Sequence, residues 1–272
     1  IMLWLIQKMK NESAFDEIIR LLNKYEIDYQ IVKALSFSNK IVNPDTVLSG
    51  QDISEIPELK INSKQKIFTI GSYTLAKIAK EKNWTPGSFI NDNFDLKSWK
   101  NGWGENNLLN GNALIDTVEN ISSIDMPKFF ARPLHDTKSF SGTVFDKEEF
   151  LYWREQLLNT DSQELNKDTE IVISPLKDIY YEVRCFVIDK KIVTQSIYKR
   201  GNYVVYDPLV SQDILDWTQS MIDKWVPDRA FVMDVAQTPE GFKMIEVNNI
   251  SSSGFYACDL NKIIIGIESM VF

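Results

Sequence analysis

Four strand-like runs between residues 180 and 248 constrain this chain more than any other feature. Tyr180 to Ile188 and Lys191 to Tyr198 flank the turn pair Asp189-Lys190, and Phe231 to Ala236 and Phe242 to Asn248 flank QTPEG. Apolar alternation interrupted by short turn-forming stretches reads as antiparallel hairpins. Between the two hairpins, Gln212 to Trp225 carries apolar residues at helical spacing. Further strands are expected at Lys128 to Arg132, Gly142 to Phe145 and Glu170 to Ser174. Asp146 with Glu149 caps a helix through Leu158, and Asp259 caps the last helix. Local strand pairing with helices on one side is an α+β pattern.

The front of the chain obeys a different grammar. An apolar run from Met2 to Gln7 leads into a helix with Ile18, Ile19, Leu22 and Tyr25 at helical spacing, with Ser13 and Asp16 as a capping pair. Tyr29 to Ala34 returns as a strand, giving a β-α-β opening. A second unit follows, with a strand at Ile67 to Ile70, a Gly71-Ser72 turn and a helix from Tyr73 to Lys82. From Trp84 to Ser123 the chain is rich in Asn and Gly and reads as loops and short elements. At 272 residues the chain reaches the size at which one core divides. The expected architecture is an α/β N-terminal domain over 1–125 and an α+β domain with antiparallel sheets over 126–272.

Several function classes recede on composition. No apolar run approaches the ~18 to 20 residues that span a bilayer. MLWLIQKMKNE lacks the apolar core of a signal peptide, so a cytoplasmic protein is expected, with Ile1 an addition ahead of Met2. Cys185 and Cys258 cannot build a zinc cluster with the lone His135, and their apolar neighbours suit buried reduced thiols. A net charge of −8 disfavours nucleic acid, whose binding needs a basic surface. Against that background the cations at Arg132, Lys138, Arg184, Lys199 and Arg200 either hold a small anion or are ordinary solvated charges.

In the hairpin FVMDVA-QTPEG-FKMIEVNN, a symmetric five-residue turn sets Asp234 opposite Met244, with Glu246 as its diagonal neighbour and Asn248 further along the same face. Two carboxylates in an apolar sheet lose hydration and repel, so they call for a cation, a proton or water. A hard divalent ion such as magnesium accepts such oxygens and leaves its remaining positions to water and phosphate. A wet polar face explains the same spacing. In ARPLHDTKSFSG, Arg132 at a strand end and Lys138 in the next turn suit polyphosphate, although a surface loop also accounts for them. In IVISPLKDIYYEVRCFVID, alternation brings Glu182 and Arg184 to one face, and Pro175 frees backbone groups beside a strand end. His135 lacks the partners of a catalytic base.

In this order, ARPLHDTKSFSG, IVISPLKDIYYEVRCFVID, SIYKR, FVMDVA and MIEVNNISSSGFYACD resemble the ATP-grasp superfamily, above all its phage- and bacteria-associated clade named for one arginine and two lysines. The likeness runs from about residue 67 to residue 270 and includes IGSYTLAKIAKEKNWTPGSF, similar to the domain that precedes the catalytic one in that clade. It implies that Asp234, Glu246 and Asn248 hold magnesium against ATP. It also implies that Arg132 and Lys138 contact phosphates, that the backbone around Ile173, Ser174 and Leu176 is the adenine connector, and that Glu182 and Lys199 are polar contacts. Arg184 resembles the arginine that steadies an acyl phosphate in related ligases. The single glycine of SFSG departs from the glycine-rich phosphate loop of many such enzymes.

The activity implied is ATP-dependent carboxylate–amine ligation through an acyl phosphate, with release of ADP and phosphate. Arg132, Lys138 and Arg184 would stabilise the moving charge. The acceptor would be an amino acid, a peptide or a protein terminus. Ser251, Ser252, Ser253 and Gly254 either offer hydroxyls and amides to a carboxylate or form a plain turn. Competing readings are phosphoryl transfer or nucleic-acid end modification at the same site, and an ATP-binding module without turnover.

Overall fold

The computed structural model describes residues 2–272 apart from Asn11, Phe37, Ser49, Ser63, 136–139, Asp161, Gln163 and Glu164. The chain opens with β1 (Met2–Ile6), α1 (Ala14–Lys24), β2 (Tyr29–Ile31), a small hairpin of β3 (Lys33–Leu35) and β4 (Lys40–Val42), then β5 (Lys66–Ile70), α2 (Tyr73–Glu81) and β6 (Pro86–Gly87). β2, β1, β5 and β6 form a parallel sheet in that order. The expected strand from Tyr29 to Ala34 breaks at Val32, so its second half pairs with β4 instead of β1. Ser13 stands at the α1 N-cap without a side-chain cap bond, and Asp16 pairs with Lys8 rather than forming the expected cap. Ser72 does cap α2, its hydroxyl accepting from Leu75 N–H at 3.1 Å.

After α3 (Leu96–Trp103) come β7 (Leu114–Thr117), β8 (Lys128–Pro133), β9 (Thr143–Asp146), α4 (Lys147–Leu158) and β10 (Glu170–Ser174). These strands form a small antiparallel sheet in the order β7-β10-β8-β9. Asp146 and Glu149 make the expected capping box at the start of α4. The last stretch holds β11 (Tyr181–Ile188), β12 (Lys191–Arg200), β13 (Tyr203–Asp207), α5 (Gln212–Lys224), β14 (Ala230–Thr238), β15 (Gly241–Asn248) and α6 (Leu260–Glu268). It builds a large antiparallel sheet ordered β13-β12-β11-β14-β15. Asp189 and Lys190 both take positive φ, as a two-residue turn between twisted strands requires.

Alternation gives the large sheet two loaded faces. Val183, Cys185, Val187, Met233 and Val235 pack against α3 and α5, where Trp103 donates its indole N–H to Met221 O at 2.8 Å. Phe186, Ile188, Ala230 and Val232 of the other face share one core with Trp4 and Phe68 of the parallel sheet and with α1 and α6. Each fully buried side chain of this size contributes roughly 1.5 to 3 kcal/mol. The small sheet keeps its own core around Phe129, Phe150 and Ile173, so it lies beside the large sheet with a cleft between them. Both cysteines are free and buried, as expected. Among the described residues no helix is long and apolar enough to cross a membrane.

Candidate functional site

The cleft contains two cavities that meet at Gly142. The larger, about 550 Å³, is lined by Ser174 and Leu176 at the end of β10, by Glu182 and Lys199, and by Phe130 and Ile245. The smaller, about 260 Å³, is lined by Arg132, Trp99, His135, Glu246 and Asn248.

Two bulges set this arrangement. The β14–β15 ladder pairs Val235 with Met244 and then Asp234 with Glu246, passing over Ile245. The expected register is corrected. The turn is the two residues Pro239 and Glu240 between Thr238 and Gly241, and Asp234 faces Glu246 directly rather than Met244. An extra residue on one strand re-aims its neighbours. Ile245 therefore points into the larger cavity while Glu246 points into the smaller. On β12 the ladder likewise passes over Tyr198, pairing Val183 with Ile197 and Glu182 with Lys199. Tyr198 and Lys199 consequently both reach Glu182, whose carboxylate accepts from the Tyr198 hydroxyl and lies 3.1 Å from Lys199 Nζ. Strict alternation would forbid that pair of contacts.

Asp234 is fully buried and its two oxygens accept from Arg184 Nε at 2.9 Å and Nη2 at 2.7 Å. Burial raises the Asp234 carboxyl above its ordinary value, Arg184 pulls it back, and Glu246 and Glu182 push it up again. Burial disfavours the Arg184 cation, yet Asp234 outweighs it and holds the guanidinium charged. Arg184 also donates through Nη1 to Gly254 O at 3.0 Å and lies 5.2 Å from the ring centroids of both Tyr198 and Tyr256. Asn248 Nδ2 donates to Glu246 Oε1 at 3.0 Å and to Asp234 Oδ2 at 3.3 Å. Asp234, Glu246 and Asn248 are thus brought together on one face.

Other expected residues are distributed unevenly. Arg132 reaches the smaller cavity, with its guanidinium 5.3 Å from the Trp99 ring centroid. Lys138 lies outside the described residues. Ser174 and Leu176 line the larger cavity, whereas the Ile173 side chain belongs to the core of the small sheet. The Ser174 hydroxyl donates to Asn110 Oδ1 at 2.9 Å. Arg200 is tied to Asp207 at 3.0 Å. Glu182 and Arg184 share a face but choose different partners, so they are not an ion pair with each other. Sequence reading missed Tyr198, Ile245 and Tyr256. The first two sit on bulges that alternation cannot reveal, while Tyr256 follows the serine run as one more aromatic residue.

The donor set suits a hard cation. Glu246 and Asn248 line the smaller cavity and are ligands magnesium takes when water and phosphate supply the rest. Asp234 lies behind them with both oxygens on Arg184 and joins the set only by yielding one of those bonds. Among the described residues no group of three His, Cys, Asp or Glu side chains that could hold a metal ion converges. Asn248 now turns its nitrogen to the carboxylates, and a half-turn of the amide would offer its oxygen.

Two sheets clasping a divided cleft, with an acidic ribbon along one wall, define an ATP-grasp fold. The family model for the ATP-grasp domain of the clade named for one arginine and two lysines, family 2 of that clade, matches residues 112–264, and the chain belongs to that family. Solved structures agree on the fold. D-alanine–D-alanine ligase from Bacillus anthracis complexed with ATP is similar with a TM-score of 0.59 at 12% identity, over 99% of this chain and 96% of that one. The ATP-grasp ligase PsnB complexed with a minimal precursor gives 0.56 at 11%, over 98% of each chain. The macrocyclase MdnC from Microcystis aeruginosa, bound with precursor peptide MdnA, gives 0.55 at 10%, over 99% of this chain and 100% of that one. No curated protein sequence matches.

Proposed function

We propose that this ATP-grasp protein is a carboxylate–amine ligase forming an amide or peptide bond through an acyl phosphate. The observation that carries the reading is the divided cleft, in which the bulge at Ile245 gives an apolar floor to one cavity and an acidic wall to the next. The adenine would lie over Ile245, against the backbone of 173–176, with Glu182 and Lys199 at its polar rim. The triphosphate would pass Gly142 toward Arg132. Magnesium, held by Asp234, Glu246 and Asn248, would offset phosphate charge.

An oxygen of the substrate carboxylate attacks the γ-phosphorus, and the bond to the β–γ bridging oxygen breaks to release ADP. The amine nitrogen then attacks the acyl carbon, the bond to phosphate breaks, and the nitrogen loses a proton to solvent. Arg132 supplies a fixed planar cation where negative charge gathers. Arg184, already held by Asp234 and the Gly254 carbonyl, would steady the acyl phosphate with its remaining N–H groups. We assign residues 1–125 to the substrate side and 126–272 to nucleotide binding and catalysis. Peptide substrates are supported by the precursor peptide bound to MdnC, a protein of similar fold. ADP release on adding candidate acids and amines tests the reading, and ATP binding without such release would reduce the chain to a binding module.

A further inference from the structure

On α2, Tyr73, Lys77 and Lys80 are spaced four and three residues apart, which aligns them on one helical face. That face walls a cavity of about 310 Å³, closed opposite by Asn91, Phe94 and His135. The opposite wall is pinned. Asn91 Nδ2 donates to Asp228 Oδ2 at 2.6 Å and to Pro227 O at 3.1 Å, and Asn93 Nδ2 donates to Pro227 O at 3.1 Å. Phe94 and His135 also line the smaller cleft cavity beside Arg132, Glu246 and Asn248. The two spaces therefore share these two side chains, and the one under α2 lies beside the place assigned to the phosphates.

Its charge is unusual for an acidic chain. Lys77 has no ion-pair partner among the described residues, and Lys80 meets only Asp92, at 2.9 Å with the carboxylate 98% exposed. His135 stands at the inner end with Nε2 3.3 Å from Glu170 Oε2. Among the described residues, Lys77 and Lys80 against Asp92 leave this cavity cationic, in a protein whose net charge is −8. Such a cavity repels an ammonium group and attracts a carboxylate.

Resting on the ligase reading, we propose that the carboxylate substrate enters under α2 and carries a second anionic group, which Lys77 holds while the reacting carboxylate reaches the γ-phosphate. The substrate class is a diacid, free or as the acidic end of a peptide. The amine arrives from another side.

Hydroxylamine in place of the amine converts an acyl phosphate to a hydroxamate, its nitrogen displacing phosphate with loss of a proton, so acids can be compared without knowing the natural amine. The panel is acetate, propionate, succinate, glutarate and L-glutamate, with N-acetylated tripeptides ending in Ala, Lys or Glu. Diacids and the Glu-ending peptide are expected to exceed their singly charged counterparts by about tenfold in kcat/KM. Lys77→Glu, an exposed change checked by thermal melting, should raise KM for the diacids by about fivefold or more with little change in kcat, in keeping with one partly exposed charge pair. Hydroxamate formation with equal use of both acid classes, or an unchanged KM in Lys77→Glu, would overturn the subsite and leave the ligase standing. Neither hydroxamate nor ADP from any acid, although Mg–ATP binds, would overturn the ligase reading and the subsite with it.

Discussion

Asp234 and Glu246 stand directly opposite each other on β14 and β15 because the ladder passes over Ile245. That single extra residue separates an apolar contact for one cavity from an acidic contact for the next, at adjacent positions of one strand.

Ile245→Ala should weaken binding of a non-hydrolysable ATP analogue. Removing a half-buried apolar contact costs about 1 kcal/mol, or roughly fivefold in Kd. Titration calorimetry reads the loss, and a melting temperature within a few degrees of the parent would assign it to the cavity rather than to the fold.

Gly142→Ala acts at the junction of the two cavities. A Cβ there would lie 2.5 Å from Phe130 Cζ, so the ring must move, and Phe130 lines the larger cavity. Nucleotide affinity should fall severalfold while far-ultraviolet circular dichroism stays unchanged.

Arg184→Met removes the counter-ion of a fully buried carboxylate. Breaking one side of such a pair costs about 3 to 5 kcal/mol, read as a lower midpoint in urea. Adding Asp234→Asn should recover a substantial part, because the two residues are coupled. Additive losses would show that the pair contributes little as a unit.

The thiols give a prediction in pH. Burial pushes Cys258 up to about 12 and Cys185 well above its ordinary value. Neither should react with iodoacetamide at pH 8 in the folded protein, and both should react in urea. The unfolded Cys258 thiol ionises near its ordinary value of 9.0, before the folded one. Its contribution to stability is complete below pH ~9 and is lost as pH rises toward ~12.

The elements with regular periods were legible in sequence. Asp189-Lys190 announced the β11–β12 hairpin, Glu170 to Ser174 was one whole strand, and Asp146 with Glu149 marked α4. Departures from period two were not. The bulges at Tyr198 and Ile245 leave no compositional trace, so the contacts of Glu182 and the facing of Asp234 and Glu246 had to be seen. The strand expected to reach Ala34 failed for a related reason, since local apolarity cannot say which neighbour a strand chooses. The nearness of Asp234, Glu246 and Asn248 was still legible, because a carboxylate pair in an apolar ribbon is conspicuous whatever its register.

The most direct test of the account is the magnesium dependence of nucleotide binding in the parent protein and in Glu246→Gln, whose side chain keeps its shape and loses its charge. Titration calorimetry with a non-hydrolysable ATP analogue should show affinity rising at least about tenfold with magnesium in the parent and nearly no rise in the variant, with both proteins folded. An equal magnesium effect in the two would contradict the assignment of the acidic ribbon as the metal-holding wall of the cleft.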